Sequence, residues 1–244
     1  NAILQLSVSE GVKIKDLIIN SSADNDSAIV LYLNGTTIEN LEFNQKNRFD
    51  LIYNKNIENK NITGCVTILD SNFTIDQIKI NGSNCEDGLN IIRSTGVINK
   101  IDVVDAISDG VDFDYSNINV KNSNFLNIKG DCVDLSFGNY KFENTKINGC
   151  GDKGISVGEN SILNLQSSTM FNSSIGIASK DSSKVNASDI LIKSTKNCLS
   201  AYNKKSEFGG GYIEYKNMKC VDSVQSINVD NQSEIKNMDN SKSN

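Results

Sequence analysis

Residues 109–128, Asp109-Gly-Val-Asp-Phe-Asp-Tyr-Ser-Asn-Ile-Asn-Val-Lys-Asn-Ser-Asn-Phe-Leu-Asn-Ile128, decide the fold when set against 131–150, Asp131-Cys-Val-Asp-Leu-Ser-Phe-Gly-Asn-Tyr-Lys-Phe-Glu-Asn-Thr-Lys-Ile-Asn-Gly-Cys150. In the first stretch Val111, Phe113 and Tyr115 are expected to point one way and Asp112 and Asp114 the other. Ile118 with Val120, and then Phe125 with Ile128, follow as two more short apolar runs. Alternation over three to five positions is the period of a half-buried strand and is too short for a helix. The second stretch repeats the pattern 22 places on, with Val133 for Val111, Asp134 for Asp112 and Phe142 for Val120.

Working outward, one phrase recurs along the chain: an apolar residue, a variable one, then usually a short polar residue at a bend. It reads Ile14-Lys-Asp16, Ile38-Glu-Asn40, Ile75-Asp-Gln77, Ile98-Asn-Lys100, Val120-Lys-Asn122, Phe142-Glu-Asn144, Leu165-Gln-Ser167, Ala187-Ser-Asp189, Tyr215-Lys-Asn217 and Ile235-Lys-Asn237. The steps between successive phrases are 24, 37, 23, 22, 22, 23, 22, 28 and 20 residues. Self-similarity at this period marks a solenoid. The Leu-x-x-Leu-x-Leu consensus of a leucine-rich horseshoe is not found, so the spacing predicts an all-β, single-stranded, right-handed parallel β-helix of about ten turns, one domain spanning 1–244. Isoleucine and valine would fill the flat inner columns. Asn40, Asn122, Asn144, Asn217 and Asn237 would stack as an amide ladder at the bend.

Two steps are long. The step of 37 predicts a protruding polar loop near 44–60 containing Arg48, Phe49 and Tyr53, and the step of 28 accommodates Gly209-Gly210-Gly211 after Phe208. Residues 239–244 read as a frayed tail. Open solenoid ends call for a cap, a flanking domain or an associated copy, a homotrimeric appendage among them.

Composition excludes much chemistry. The 244 residues contain no histidine, proline or tryptophan, which removes Ser-His-Asp and Cys-His nucleophiles and imidazole metal sites. A net charge of −6, from 24 Lys+Arg and 30 Asp+Glu, argues against nucleic acid as a partner. No apolar run approaches the roughly 18 residues of a membrane helix, so no membrane insertion is expected. The chain starts at Asn1 without a charged-then-apolar leader, so an export signal would have been removed or lie outside it. Cysteines at 65, 85, 132, 150, 198 and 220 lack the Cys-x-x-Cys spacing of metal and redox sites; buried free thiols are the favoured reading over disulfides.

Stacking turns residues 22 apart into neighbours, so outward positions are read as columns. One runs Asp87, Asp109, Asp131, Lys153 and the next Asn90, Asp112, Asp134, Ser156. Carboxylates one strand spacing apart repel unless something positive lies between them, which makes Asp109, Asp112, Asp131 and Asp134 a candidate Ca2+ site; Asx-turns are the competing structural role. Aligned on serine, Glu159, Asp181, Lys204 and Asn231 should stack, with Ser161, Ser183, Ser206 and Ser233 two places later as a turn ladder. Lys153, Glu159, Lys180, Asp181, Tyr202, Lys204, Lys205 and Glu207 gather both signs of charge on one edge beside the acids; a solvated charged face would look the same.

The turn phrase resembles the right-handed parallel β-helix repeats of the pectin-lyase-like superfamily over essentially the whole chain. Gly151–Ser161, Gly176–Ser183 and Ala201–Gly210 are similar to β-helix modules of bacterial surface and secreted proteins. The resemblance implies a groove on the first-strand face that holds extended polysaccharide, with lyases, hydrolases and epimerases as its enzymes. The repeat is specific for fold and nearly silent on reaction.

Three readings follow, all for a secreted or cell-surface protein with a glycan partner. The leading one is β-elimination or epimerisation of an acidic polysaccharide, with Lys153 or Lys180 as base, Tyr202 as acid, the aspartates holding Ca2+, and Glu159, Asp181, Lys204, Lys205 and Glu207 contacting substrate. Against it, only Arg48 and Arg93 are available to clamp carboxylates. The first alternative is a non-catalytic glycan-binding or structural surface module, weakened by few exposed aromatics. The second is a glycoside hydrolase using paired aspartates such as Asp112 and Asp134.

Overall fold

The computed structural model describes residues 2–22, 27–46 and 62–239. The described strands pair in parallel and form a β-solenoid of about nine turns with no helix. Ten turn phrases bound nine complete repeats, which is why the phrase count expected one turn more. The loop expected near 44–60, with Arg48, Phe49 and Tyr53, lies outside the described residues beyond position 46, as does the tail past Asp239.

Coil-to-coil register is set by inner columns. Val66, Leu89, Val111, Val133, Ile155, Ile177 and Leu199 stack in order, and beside them run Ile68, Ile91, Phe113, Leu135 and Val157. All of these are fully buried. Each such side chain stabilises the fold by about 1.5–3 kcal/mol, and slipping the register by one residue would carry the whole set to the solvent face. The outward residues of strand Asp109–Asp114 are thereby held fast.

Tyr115 departs from the expected alternation. It does not follow Val111 and Phe113 inward, because the backbone turns left-handed at φ 51° and leaves the ring 56% exposed. Of the serines expected to stack, Ser161 Oγ accepts Gly138 N and Ser233 Oγ accepts Gly211 N, and the ladder extends to serines that were not expected, with Ser71 N donating to Ser94 Oγ and Ser94 N to Ser116 Oγ. Ser206 is not part of it. Lys184 pairs with Tyr212 and Tyr212 with Glu234, so Gly211 stands between Ser183 and Ser233 while Ser206 sits exposed in the longer turn.

The cysteines form three disulfides, Cys65–Cys85, Cys132–Cys150 and Cys198–Cys220, and none is free. This overturns the free-thiol reading. Separations of 20, 18 and 22 residues fall a few short of one trip round the coil, which brings each chain back beside its start, and each pair meets with Cα atoms 5.4–6.1 Å apart, within bridging range.

Candidate active site

Three outward columns build the site on the first-strand face. Asp87, Asp109, Asp131 and Lys153 stack as one, Asn90, Asp112, Asp134 and Ser156 as the second, and Ile92, Asp114, Ser136 and Gly158 as the third. The side chain period of two places Asp112 and Asp114 on the same face of one strand, about 6.6 Å apart along it.

The acids are crowded and mostly out of water. Asp109 Oδ1 accepts the amide of Asp131 at 2.7 Å, and Asp131 Oδ1 accepts the amide of Lys153 at 2.9 Å, so the Asx-type structural role is also real. Burial pushes the carboxyl of Asp109 up to about 8, with the charge of Asp131 adding to it. Burial likewise holds Asp112 well above the usual carboxylate range, reinforced by Asp87, Asp114, Asp134 and Asp109. Asp114 rises less, to about 6: burial, Asp134 and Glu159 lift it while Lys205 pulls it back. Asp87 rises to about 7 through burial despite hydrogen bonds from Thr63 and Asn90.

The basic side chains answer these acids. Lys153 Nζ reaches both oxygens of Asp131 at 3.3 Å and Asp152 Oδ2 at 2.5 Å. Burial alone would lower its pKa, but Asp131 and Asp152 more than offset that and fix it as an ammonium. Lys180 Nζ donates to Ser156 Oγ at 2.8 Å and forms an ion pair with Asp134 at 3.7 Å. Tyr202 stacks after Lys180, and burial raises its hydroxyl against the pull of Lys153 and Lys180. An eliminating enzyme needs a neutral base, and Lys153 is held in the opposite state.

The mixed-charge edge is rearranged relative to expectation. Because Lys180 pairs with Tyr202, Asn203 and not Lys204 follows Asp181 in its column. Asp181 is fully buried and accepts the amides of Lys204 and Lys205 at 2.7 Å each, so it anchors the loop and does not face substrate. Lys204 and Glu207 are exposed on that loop. Lys205 turns back to pair with Glu159, whose other oxygen accepts Ser136 Oγ at 2.6 Å. Arg93, one of the two arginines considered as clamps, is taken by Asp70 in a bidentate pair at 2.7 and 2.9 Å.

Asp109, Asp131 and Asp134 each bring one oxygen within 4.8 Å of the others, and Asp112 falls outside that group. The ammonium of Lys153 already occupies both oxygens of Asp131.

Sequence reasoning underweighted Asp114 and missed an aromatic pair. The rings of Tyr115 and Phe137 stack with centroids 4.5 Å apart and planes 3° apart, and Phe208 meets Phe137 at 6.1 Å and 59°. The 22-residue column arithmetic that found the aspartates also relates Tyr115 to Phe137.

No protein-family model matches the chain, and no curated protein matches it. Among solved structures the chain is similar to the catalytic domain of GH87 alpha-1,3-glucanase in complex with nigerose, at 7% identity and TM-score 0.35 over 95% of this chain and 63% of that one. A variant of that domain in complex with tetrasaccharides gives 8% identity and TM-score 0.39, over 95% and 57% respectively. The chain spans about 60% of the length of these structures.

Proposed function

We propose that the protein is a secreted or cell-surface glycoside hydrolase that cuts a polysaccharide lying along the acidic face, with Asp112 as general acid and Asp114 as general base. The observation that carries this reading is the pair itself: Asp112 and Asp114 stand two residues apart on one face of the strand Asp109–Asp114, a backbone spacing of about 6.6 Å, of the order that an inverting pair needs to leave room for a water. Burial and the neighbouring carboxylates hold Asp112 well above the usual carboxylate range, which suits a proton donor, while Lys205 pulls Asp114 back to about 6, which suits a proton acceptor. Asp112 gives its proton to the glycosidic oxygen as the C–O bond breaks. Asp114 takes a proton from the water that attacks the anomeric carbon from the opposite side, so the configuration inverts. Asp134, ion-paired with Lys180, is about one strand spacing from Asp112, closer than an inverting pair requires.

Among the described residues no arginine is free to clamp a uronate carboxylate on this face, because Arg93 is held by Asp70 in a bidentate pair and Lys153 and Lys180 are held by Asp131 and Asp134, so the expected substrate is neutral. This is the main reason to rank hydrolysis above elimination. Ca2+ remains a candidate ligand of Asp109 and Asp134, in competition with Lys153 for Asp131. The three disulfides accord with an oxidising compartment.

The test is to incubate the protein with α-1,3-glucan, β-1,3-glucan, cellulose, mannan, pectate and alginate, following reducing ends and absorbance near 235 nm. The expected result is new reducing ends on a neutral polymer without unsaturated product, abolished by Asp112→Asn and by Asp114→Asn. Unsaturated product from an acidic polymer would return the elimination reading. Silence with every polymer would favour a binding module.

A further inference from the structure

We infer that Tyr115 and Phe137 form a sugar-stacking subsite beside the acid pair, which takes one pyranose ring of a neutral glycan chain. The inference rests on the hydrolase reading for its occupant and on the following geometry for its place.

The two rings occupy successive rungs of one column, directly after Asp114 and Ser136 on the first-strand face. That column is left-handed at Asp70, Arg93, Tyr115, Phe137, Glu159 and Asp181, with φ between 41° and 55°. Left-handed backbone suits glycine, asparagine and aspartate and is uncommon for bulky side chains. The fold itself has no need of aromatics there, since neighbouring rungs use Arg93 and Glu159. Nor are the rings sequestered: Tyr115 is 56% exposed and Phe137 half-buried. The two rings are parallel and stacked with centroids 4.5 Å apart, so they cover each other's facing sides, and Tyr115, 56% exposed even with one side against Phe137, keeps apolar ring surface open to solvent.

A wall and a polar rim complete the subsite. The loop 203–210 carries Phe208 back to Phe137 and is pinned along its length. Asp181 accepts the amides of Lys204 and Lys205, Gly209 N donates to Ser182 Oγ at 2.7 Å, and Asn203 Nδ2 donates to Gly209 O at 2.9 Å. Asp114, Ser136 and Glu159 border the platform with acceptors and a hydroxyl. A pyranose presents C–H groups on its face and hydroxyls at its edge, which matches the open surface of Tyr115, backed by Phe137, with a carboxylate rim beside it. A uronate would set its own carboxylate against Asp114 and Glu159. Since Tyr115 adjoins Asp114, a ring stacked there lies next to the bond being cut.

The experiment uses the full chain and saturation-transfer NMR with cellohexaose, laminarihexaose, maltohexaose, nigerohexaose, mannohexaose and, as acidic control, hexagalacturonate, followed by titration calorimetry on any binder. At least one neutral hexasaccharide should bind, about tenfold or more weakly to Tyr115→Ala and Phe137→Ala, while Tyr115→Phe keeps the affinity. Thermal melting should show that the exposed Tyr115 site leaves folding unchanged. Wild-type affinity in both alanine variants, binding of hexagalacturonate alone, or no binding to any probe would overturn the subsite. If the alanine variants lose binding while Asp112→Asn still hydrolyses, the acid–base assignment fails and the subsite stands. If Asp112→Asn is inactive while the alanine variants bind normally, only the subsite fails.

Discussion

Lys180 Nζ is the shared partner of two neighbouring rungs, donating to Ser156 Oγ at 2.8 Å and lying 3.7 Å from Asp134 Oδ1. Its stem lies across Gly158, where a Cβ would come within 2.8 Å of Lys180 Cε. Lys180→Met keeps the stem and removes the ammonium that neutralises Asp134, so activity should fall about 10- to 100-fold through kcat with melting little changed. Gly158→Ala should displace the stem and cause a smaller loss. Unchanged kcat in both variants would show that Asp134 needs no counter-ion.

The pH dependence of kcat/KM should carry an acid limb near pH 6, where Asp114 must lose its proton to act as base. Lys205 pulls that carboxyl down and also pairs with Glu159, so Lys205→Met should move the limb to higher pH. A limb that stays fixed would transfer the base role to another carboxylate.

The fold was legible because each rung repeats the same demand: a β-branched or aromatic residue at an inner column, at a constant step. The acid columns were legible for the same reason, since Asp112 and Asp134 share a register that the inner columns enforce. What failed was whatever breaks the step. Ser206 and Lys204 sit in the extra residues of the longer turn, where counting from one serine to the next skips Gly211. Tyr115 was assigned inward because alternation ignores the left-handed bend. The disulfides were missed because pairing was weighed by motif spacing, whereas a separation a few residues short of one coil is itself a closing distance.

Stability should fall as pH rises through the neutral range. Asp87, Asp109 and Asp114 have folded-state values near 7, 8 and 6 against an ordinary 3.8, so the folded chain holds protons that the unfolded chain releases. Their stabilising contribution is complete below about pH 4 and is lost toward pH 8, at up to about 1.4 kcal/mol per pH unit for each group inside its window. Urea midpoints should therefore be lower at pH 8 than at pH 5, and Asp109→Asn should flatten the difference. Added Ca2+ should raise the midpoint at pH 8 if Asp109 and Asp134 bind it.

Replacing Cys132 and Cys150 together by alanine should destabilise the chain by about 3 kcal/mol, the closure entropy of a loop of this length. The same turn carries Asp131 and Asp134, so the loss should appear in the urea midpoint and in activity together. An unchanged midpoint would mean that stacking alone closes that coil.

Tyr140 supplies by side chain what the serine ladder lacks at Gly138. Its hydroxyl donates to Phe113 O at 2.7 Å or Ser136 O at 2.8 Å and receives Ser116 N at 3.4 Å, in a fully enclosed position. A Cβ at Gly138 would lie 2.4 Å from that hydroxyl and 2.2 Å from Ser116 O, so serine and tyrosine cannot both occupy the corner. Tyr140→Phe leaves buried backbone groups without their partner and should cost about 1–3 kcal/mol. Because those carbonyls end the strands that hold Asp112, Asp114 and Asp134, the variant should also lower kcat more than it raises KM. Gly138→Ser should destabilise the native chain through both clashes and be better tolerated on the Tyr140→Ala background, where the clash with the ring is gone and only that with Ser116 O remains. Thermal melts of the four chains in that cycle would show it as a coupling between the two positions, and strict additivity would mean that the tyrosine does not stand in for the missing serine.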